Sequence, residues 1–235
     1  LRRHYAERGR MYLRIAPPVM GRELGAEGFR PAGTPGWGSA VLGLEKPDDV
    51  LRAGLAQKWR NSLNQAERSA IEVETGTDDP LFARFLALHA DFMDDKGFRS
   101  TVTADLLSAL RHELPTGQGI PVLLATQDGE TLGWVLLARH GGTAEYLAGG
   151  TTEAGRRLNA GQLLLWRAVL AMKEAGAERF DLGGMDPDLT PPGIYRFKRG
   201  LGGTPYRLAP ELEALGGGPL GRLVRWRIRR ARACQ

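Results

Sequence analysis

Residues 178–203 read ERFDLGGMDPDLTPPGIYRFKRGLGG. The stretch predicts a short strand closing on Asp181-Leu182-Gly183-Gly184, then a loop with Pro187, Pro191 and Pro192. A short helix-like segment carrying Phe197-Lys198 follows. Gly200, Gly202 and Gly203 break that segment and release the chain into a further strand, Thr204 to Leu208. Glycines at a strand end let backbone or ligand approach closely, because no Cβ intervenes. A lysine just beyond such an opening places fixed positive charge beside a substrate slot. That suits acyl transfer, in which negative charge develops on a carbonyl oxygen. Spacing alone also admits, and by itself favours, a glycine-rich turn in an ordinary α/β domain, with Lys198 solvated.

Working outward, periodicity and turn chemistry place the remaining elements. Gly38 to Leu44 reads as a strand, and Asp48 to Arg68 as one helix with Val50, Leu51, Leu55, Trp59 and Leu63 at helical spacing. Ile71 to Glu74 reads as a short strand, followed by helices over Leu81 to Asp94 and Ala104 to Glu113, the second ended by Pro115 and Gly117. Pro121 to Thr126 and Leu132 to Arg139 form a hairpin about Gln127-Asp128-Gly129-Glu130, and such Asp-Gly pairs favour tight turns. Ala144 to Ala148 adds a strand, Leu158 to Ala175 an almost wholly apolar helix stopped by Gly176, and Arg179 to Leu182 the strand of the opening stretch.

Before residue 38 the order helix, strand, helix, strand recurs more weakly. Leu1 to Arg8 reads as a helix end stopped by Gly9, and Met11 to Ile15 as a strand. Val19 to Gly25 follows Pro17-Pro18, and a strand begins at Gly28-Phe29-Arg30. The recurrence predicts an internal repeat.

Bulk properties narrow the class. The 235 residues are 42% hydrophobic and 25% charged, as expected of a globular protein. The one cysteine, Cys234, excludes an intrachain disulfide and fits a reducing, cytoplasmic compartment. No apolar run is long enough to span a bilayer. Net charge is +5 with a pI near 9.6, which is compatible with a polyanionic partner. Much of the excess lies in GRLVRWRIRRARACQ (221–235). On a helical projection Arg222, Arg225, Arg229 and Arg232 share one face, while Leu220, Val224, Ile228 and Ala231 share another. Such a helix could meet phosphates of tRNA or the inner face of a membrane, or dock by its apolar stripe with the basic face in water. The four histidines, His4, His89, His112 and His140, are scattered, and no zinc-ligand spacing, Gly-x-Ser-x-Gly elbow, P-loop or HExxH occurs.

The pattern NAGQLLLWRAVLAMKEAG (159–176), DLGG and GIYRFKRGLGG, with LAQKWRNSLNQAERSAIEVE (55–74) upstream, resembles the Fem family of aminoacyltransferases. Those enzymes add amino acids from aminoacyl-tRNA to peptidoglycan precursors. The resemblance implies an α/β (α+β) GNAT-like acyltransferase fold, of which Fem proteins carry a duplicated form. Residues 38–209 are then one complete copy, and 1–37 the C-terminal remnant of a preceding copy, so that the chain reads as N-terminally truncated. Residues 210–235 are expected to pack back on that first copy as a basic helix.

The resemblance further implies that Lys198 stabilises the oxyanion, with Phe197 buttressing it, and that Asp181 orients or deprotonates the incoming ammonium. Capping of backbone N–H groups at the strand end is the alternative role for Asp181. Tyr146, Gly183, Gly184 and Tyr195 fall at substrate-contacting positions. Lys58 and Arg60 match the family's basic helix and are expected to meet phosphates. The implied partners are aminoacyl-tRNA as co-substrate and a nucleotide- (UDP-) linked or lipid-linked muramyl-peptide acceptor, with no cofactor. At Val102-Thr103 and Leu106-Leu107 the chain departs from the family's polar and aromatic residues, which puts precursor recognition in doubt. Two readings stand beside this one, an acetyl-CoA-dependent N-acetyltransferase and an inactive fragment. For the first, Arg156-Arg157-Leu158-Asn159-Ala160-Gly161 lacks the internal glycine of a CoA pyrophosphate loop.

Overall fold

A computed structural model of the chain describes residues 1–8, 12–20, 28–96, 103–114, 120–215, 223–224, 226–228 and 230. In chain order it begins with a π-helical segment Arg2–Arg8, then β1 (Leu13–Ile15), β2 (Arg30–Pro31), β3 (Gly38–Gly43), α1 (Asp48–Ala53), α2 (Gln57–Glu67) and β4 (Glu72–Gly76). α3 (Asp79–Lys96) and α4 (Ala104–Glu113) precede the meander β5 (Val122–Gln127), β6 (Glu130–His140) and β7 (Thr143–Thr151). There follow α5 (Glu153–Arg157), α6 (Ala160–Glu174), β8 (Arg179–Asp181), α7 (Pro192–Gly200), β9 (Thr204–Arg207) and β10 (Leu212–Ala214).

The chain divides into two compact units, Ser39–Thr204 and Leu1–Gly38 with Pro205–Gln235. In the smaller unit β10 sits between β1 and β2, antiparallel to both. Leu212 and Ala214 are buried there, and the buried Glu213 accepts a hydrogen bond from the Tyr12 hydroxyl at 3.1 Å.

The larger unit is organised by a mixed sheet of order β4-β5-β6-β7-β8-β3. Strands β4 to β7 pair antiparallel, β7 and β8 are parallel, and β3 runs antiparallel to β8. The period-2 alternation of a strand sends neighbouring side chains to opposite faces. Leu123 and Ala125 of β5 thus meet the core of α2 and α6, with Leu63, Leu164, Ala168 and Val169. Val122 and Leu124 face the core of α3 and α4, with Leu81, Phe85 and Leu107. Burial on both faces is why β5 reads as a continuous apolar run. The meander hairpin turns where expected, with Asp128 at φ 50° and Gly129 at φ 82°, the left-handed pair of a two-residue turn.

Several elements differ from the sequence reading. The helix expected over Asp48 to Arg68 is two helices. Its break at Gly54-Leu55-Ala56 buries Leu55 and lets the Ala56 N–H donate to the Gly200 carbonyl at 2.9 Å. The helix expected over Leu158 to Ala175 begins two residues later. Asn159 adopts the left-handed conformation (φ 58°) between α5 and α6, which asparagine tolerates better than most residues. Residues 212–214, expected within a terminal helix, form β10. The parts of that helix at Leu220, Arg222, Arg225, Arg229, Ala231 and Arg232 lie outside the described residues, as do Gly9, Met11, 21–25, Val102, Pro115, Gly117 and Cys234. No helix among the described residues is long and apolar enough to cross a membrane.

Candidate active site

The parallel pairing of β7 with β8 is short. It joins Thr143, Ala144 and Glu145 to Arg179, Phe180 and Asp181, and there β8 ends. From Tyr146 to Thr151 β7 has no β8 partner, so the sheet opens on that side. A cavity of about 580 Å³ occupies the opening, lined by Tyr146 to Thr151, by Leu164 and Leu165 of α6, by Phe197 and Lys198 of α7, and by His89, Phe92 and Met93 of α3.

Lys198 is brought into this cavity by the start and stop of α7. Pro191 and Pro192 open the helix, where a missing N–H is harmless. Near its end Gly200 lies against Trp59, and a Cβ at Gly200 would stand 2.4 Å from the Trp59 ring. That contact, with the bond from Trp59 Nε1 to the Phe197 carbonyl at 3.0 Å, pins α7 to α2. Phe197 also packs where Gly161 leaves room, its ring 3.5 Å from an imagined Cβ.

Lys198 is 8% exposed. Its Nζ donates to the Gly184 carbonyl at 3.0 Å and stands 4.9 Å from the centre of the Tyr146 ring. Burial lowers its pKa from 10.5 to about 8, against the attraction of Asp181 and Glu145, which raises it. Burial also pushes the Tyr146 phenol up to about 12. At pH 7 the lysine is still about nine-tenths protonated. The result is a poorly hydrated cation held by a carbonyl dipole and an aromatic face.

Asp181 is buried, and its Oδ1 accepts from the Gly183 N–H at 2.8 Å. The same oxygen lies 2.5 Å from Ser39 Oγ, which is also 2.7 Å from the Gly183 carbonyl. The carboxylate therefore fastens the end of β8. Gly183 itself has φ 65°, and a Cβ there would stand 2.5 Å from the Tyr146 carbonyl oxygen. Only glycine fits both the conformation and the space.

The sequence family described as an acetyltransferase (GNAT) domain matches residues 52–199, more than half of the chain and all of the cavity lining. The chain belongs to this GNAT family. Acyl transfer is the activity that goes with the membership. Among solved structures, a crystal structure of FemX matches with a TM-score of 0.76 at 16% identity, covering 91% of this chain and 74% of that one. The C-terminal domain of a putative lysylphosphatidylglycerol synthetase from Agrobacterium fabrum matches at a TM-score of 0.53 and 16% identity, covering 84% and 65%. The L-PGS structure from Bacillus licheniformis matches at 0.53 and 12% identity, covering 86% and 65%. This chain thus spans just under two thirds of those last two structures. At these identities the likeness is one of fold, and it bears out the Fem-like GNAT architecture read from the motifs. No curated protein matches the chain.

Of the residues singled out from sequence, the GNAT cavity brings together Lys198, Phe197 and Tyr146, with Gly183 and Gly184 contacting the lysine and tyrosine from behind. Tyr195 is half-buried against the α2–α6 core and does not line the cavity. Lys58 is exposed on α2, and Arg60 bonds locally to the Ala53 carbonyl at 3.0 Å and to Gln57 at 2.5 Å. Neither lines the cavity, because the buried face of α2 is spent on Trp59 and Leu63.

Sequence reasoning missed Ser39 and Glu145. Glu145 lies across from Asp181 in the β7–β8 register. Desolvation, then Asp181, raises its pKa. Also missed was the α3 wall of His89, Phe92 and Met93 with Trp134. Only strand register brings these together, and no local motif announces them. A smaller pocket of about 270 Å³ is walled by Asp48, Asp49, Arg52, Glu67 and Arg167. Arg52 and Glu67 there form an ion pair. Among the described residues no group of His, Cys, Asp and Glu is placed to hold a metal ion.

Proposed function

We propose that this GNAT-family chain transfers an aminoacyl group from aminoacyl-tRNA to an amine on the stem peptide of a peptidoglycan precursor. The observation that carries the reading is the buried ammonium of Lys198 facing a cavity that opens where β7 and β8 part. The likeness of fold to FemX supports it.

An aminoacyl ester is already activated, so alignment and charge stabilisation suffice. The acceptor nitrogen attacks the ester carbonyl carbon, and the carbonyl oxygen takes the negative charge. Lys198 neutralises that oxyanion. Collapse re-forms the carbonyl and expels the ribose oxygen, which takes up the proton given up by the attacking nitrogen, and leaves an amide. Phe197 acts as a positioning residue, through its packing on Gly161 and its carbonyl bond to Trp59. Asp181 is assigned to holding Gly183 and Ser39 rather than to proton transfer. Residues 1–37 are read as belonging to a preceding GNAT-like copy, and the acceptor as either nucleotide-linked or lipid-linked, met on the cytoplasmic side of the membrane.

The family match itself favours one competing donor, acetyl-CoA. At the sequence position of the internal glycine of that donor's loop the chain carries Asn159, in a left-handed conformation of the kind glycine adopts. Two assays separate the donors. Incubation with a mixture of charged tRNAs and a muramyl-pentapeptide nucleotide should add one aminoacyl mass to the peptide, while calorimetry should detect no tight CoA binding. Tight CoA binding together with acetyl addition overturns the proposal.

A further inference from the structure

Two polar atoms in the cavity's wall have no hydrogen-bond partner. Trp134 of β6 is 3% exposed, and its indole Nε1 is buried and unpaired. His89 of α3 has a buried, unpaired Nδ1. Both side chains line the cavity. Trp134 lies over Gly150, where a Cβ would stand 2.6 Å from its ring, and meets the edge of Phe92 at 5.7 Å. His89 stacks on Phe85 at 5.3 Å. Trp134 belongs to the core on the α3 face of the sheet, opposite the face carrying Leu164 and Leu165. The wall thus stands across the opening from the α6 side.

Buried polar groups without partners are few in native proteins, and each calls for a reason. An indole N–H can only donate. Desolvation lowers the His89 pKa, so the ring is neutral at pH 7 and one of its nitrogens accepts. The wall therefore holds a donor and, in the Nε2-protonated tautomer of His89, an acceptor. An ester or thioester group by itself carries only acceptors and an ammonium only donors, whereas amides, those of the CoA arm included, carry both. A peptide backbone carries both, as C=O and N–H groups in succession.

We infer that the α3 wall seats the backbone of a peptide acceptor, with a C=O accepting from Trp134 Nε1 and an N–H donating to His89 Nδ1. The inference rests on the reading of the acceptor as a peptide, and it makes Trp134 and His89 determinants of acceptor specificity. Each nitrogen is shielded by its neighbours, so engagement requires its ring to turn toward the cavity.

The test uses the ¹⁵N-labelled full chain and follows the indole N–H cross-peak of Trp134, assigned by its loss in Trp134→Phe. Two probes are titrated, acetyl-lysine N-methylamide, which has two amides and a free amine, and 1,5-diaminopentane, which has two amines and no amide. The expected result is a shift of that cross-peak with the amide probe only. Read by calorimetry, Trp134→Phe and His89→Phe should each weaken the amide probe by about tenfold and leave the diamine unaffected. Equal shifts with both probes, or with neither, overturn the inference. Because the readout needs no turnover, the two readings fail separately. If the amide probe binds as expected but no charged tRNA donates, the donor assignment falls and the peptide seat stands. If transfer proceeds while KM for the acceptor is unchanged in Trp134→Phe, the seat falls and the transferase reading stands.

Discussion

Replacing Lys198 by methionine should make the protein more resistant to urea at pH 7. Methionine matches the length of the lysine stem, and the replacement removes a charge that burial disfavours. The displacement of the lysine pKa from 10.5 to about 8 corresponds to about 3 kcal/mol against the charged form. Part of that gain is offset, because the Gly184 carbonyl loses its donor, at about 1–2 kcal/mol. A net gain of about 1–2 kcal/mol remains. The pH dependence carries a sign of its own. Between the folded pKa near 8 and the unfolded value of 10.5 the unfolded chain binds more protons, so wild-type stability rises with pH in that window. From pH 8 to pH 10 the linkage gives about 2 kcal/mol, and Lys198→Met removes it. Urea midpoints for both proteins at pH 7, 8, 9 and 10 measure the difference, in which most other titrations cancel. A variant less stable than wild type at pH 7, with a difference flat across pH, would refute the burial of a strained cation.

Three other outcomes follow from the same geometry. Lys198→Met should lower the rate of acyl transfer by about 10²–10³, with donor affinity within about threefold, read by single-turnover quench and by donor binding. Gly200→Ala should destabilise by about 1–3 kcal/mol despite alanine's better helix propensity, because its Cβ meets the Trp59 ring at 2.4 Å; thermal melts check this. Asp181→Asn keeps an oxygen for the Gly183 N–H and should slow transfer by less than about tenfold, whereas loss of a general base costs about 10²–10⁴.

Much of this architecture is legible in the chain. The Asp128-Gly129 turn, the limits of α4 and the Gly183–Lys198 relation all rest on local chemistry, on glycine, proline and apolar periodicity acting over a few residues. The breaks at Gly54–Ala56 and Asn159 were not legible, because each lies inside an unbroken apolar pattern. Leu55 is buried in its turn, so periodicity runs on where the backbone does not. Strand β10 was hidden for the opposite reason, since Leu212-Glu213-Ala214 is too short to show an alternation. At the site, Lys198 announces itself through its glycines. His89 and Trp134 are 45 residues apart in sequence and come to one cavity only through strand register and helix packing. Lys58 and Arg60 stand outside the cavity lining, and a basic helix face looks the same in sequence whether it meets phosphate or water.

The pH profile of single-turnover transfer to a lysine-like amine tests most directly whether a protonated Lys198 neutralises the oxyanion. The free amine increases tenfold per pH unit up to about 10.4, while protonated Lys198 declines above about 8. The logarithm of the wild-type rate should therefore rise with unit slope and level off near pH 8. In Lys198→Arg, whose charge persists, whatever activity remains should keep climbing to about pH 10. A wild-type rate that climbs unbroken through pH 8 to pH 10 would contradict the assignment.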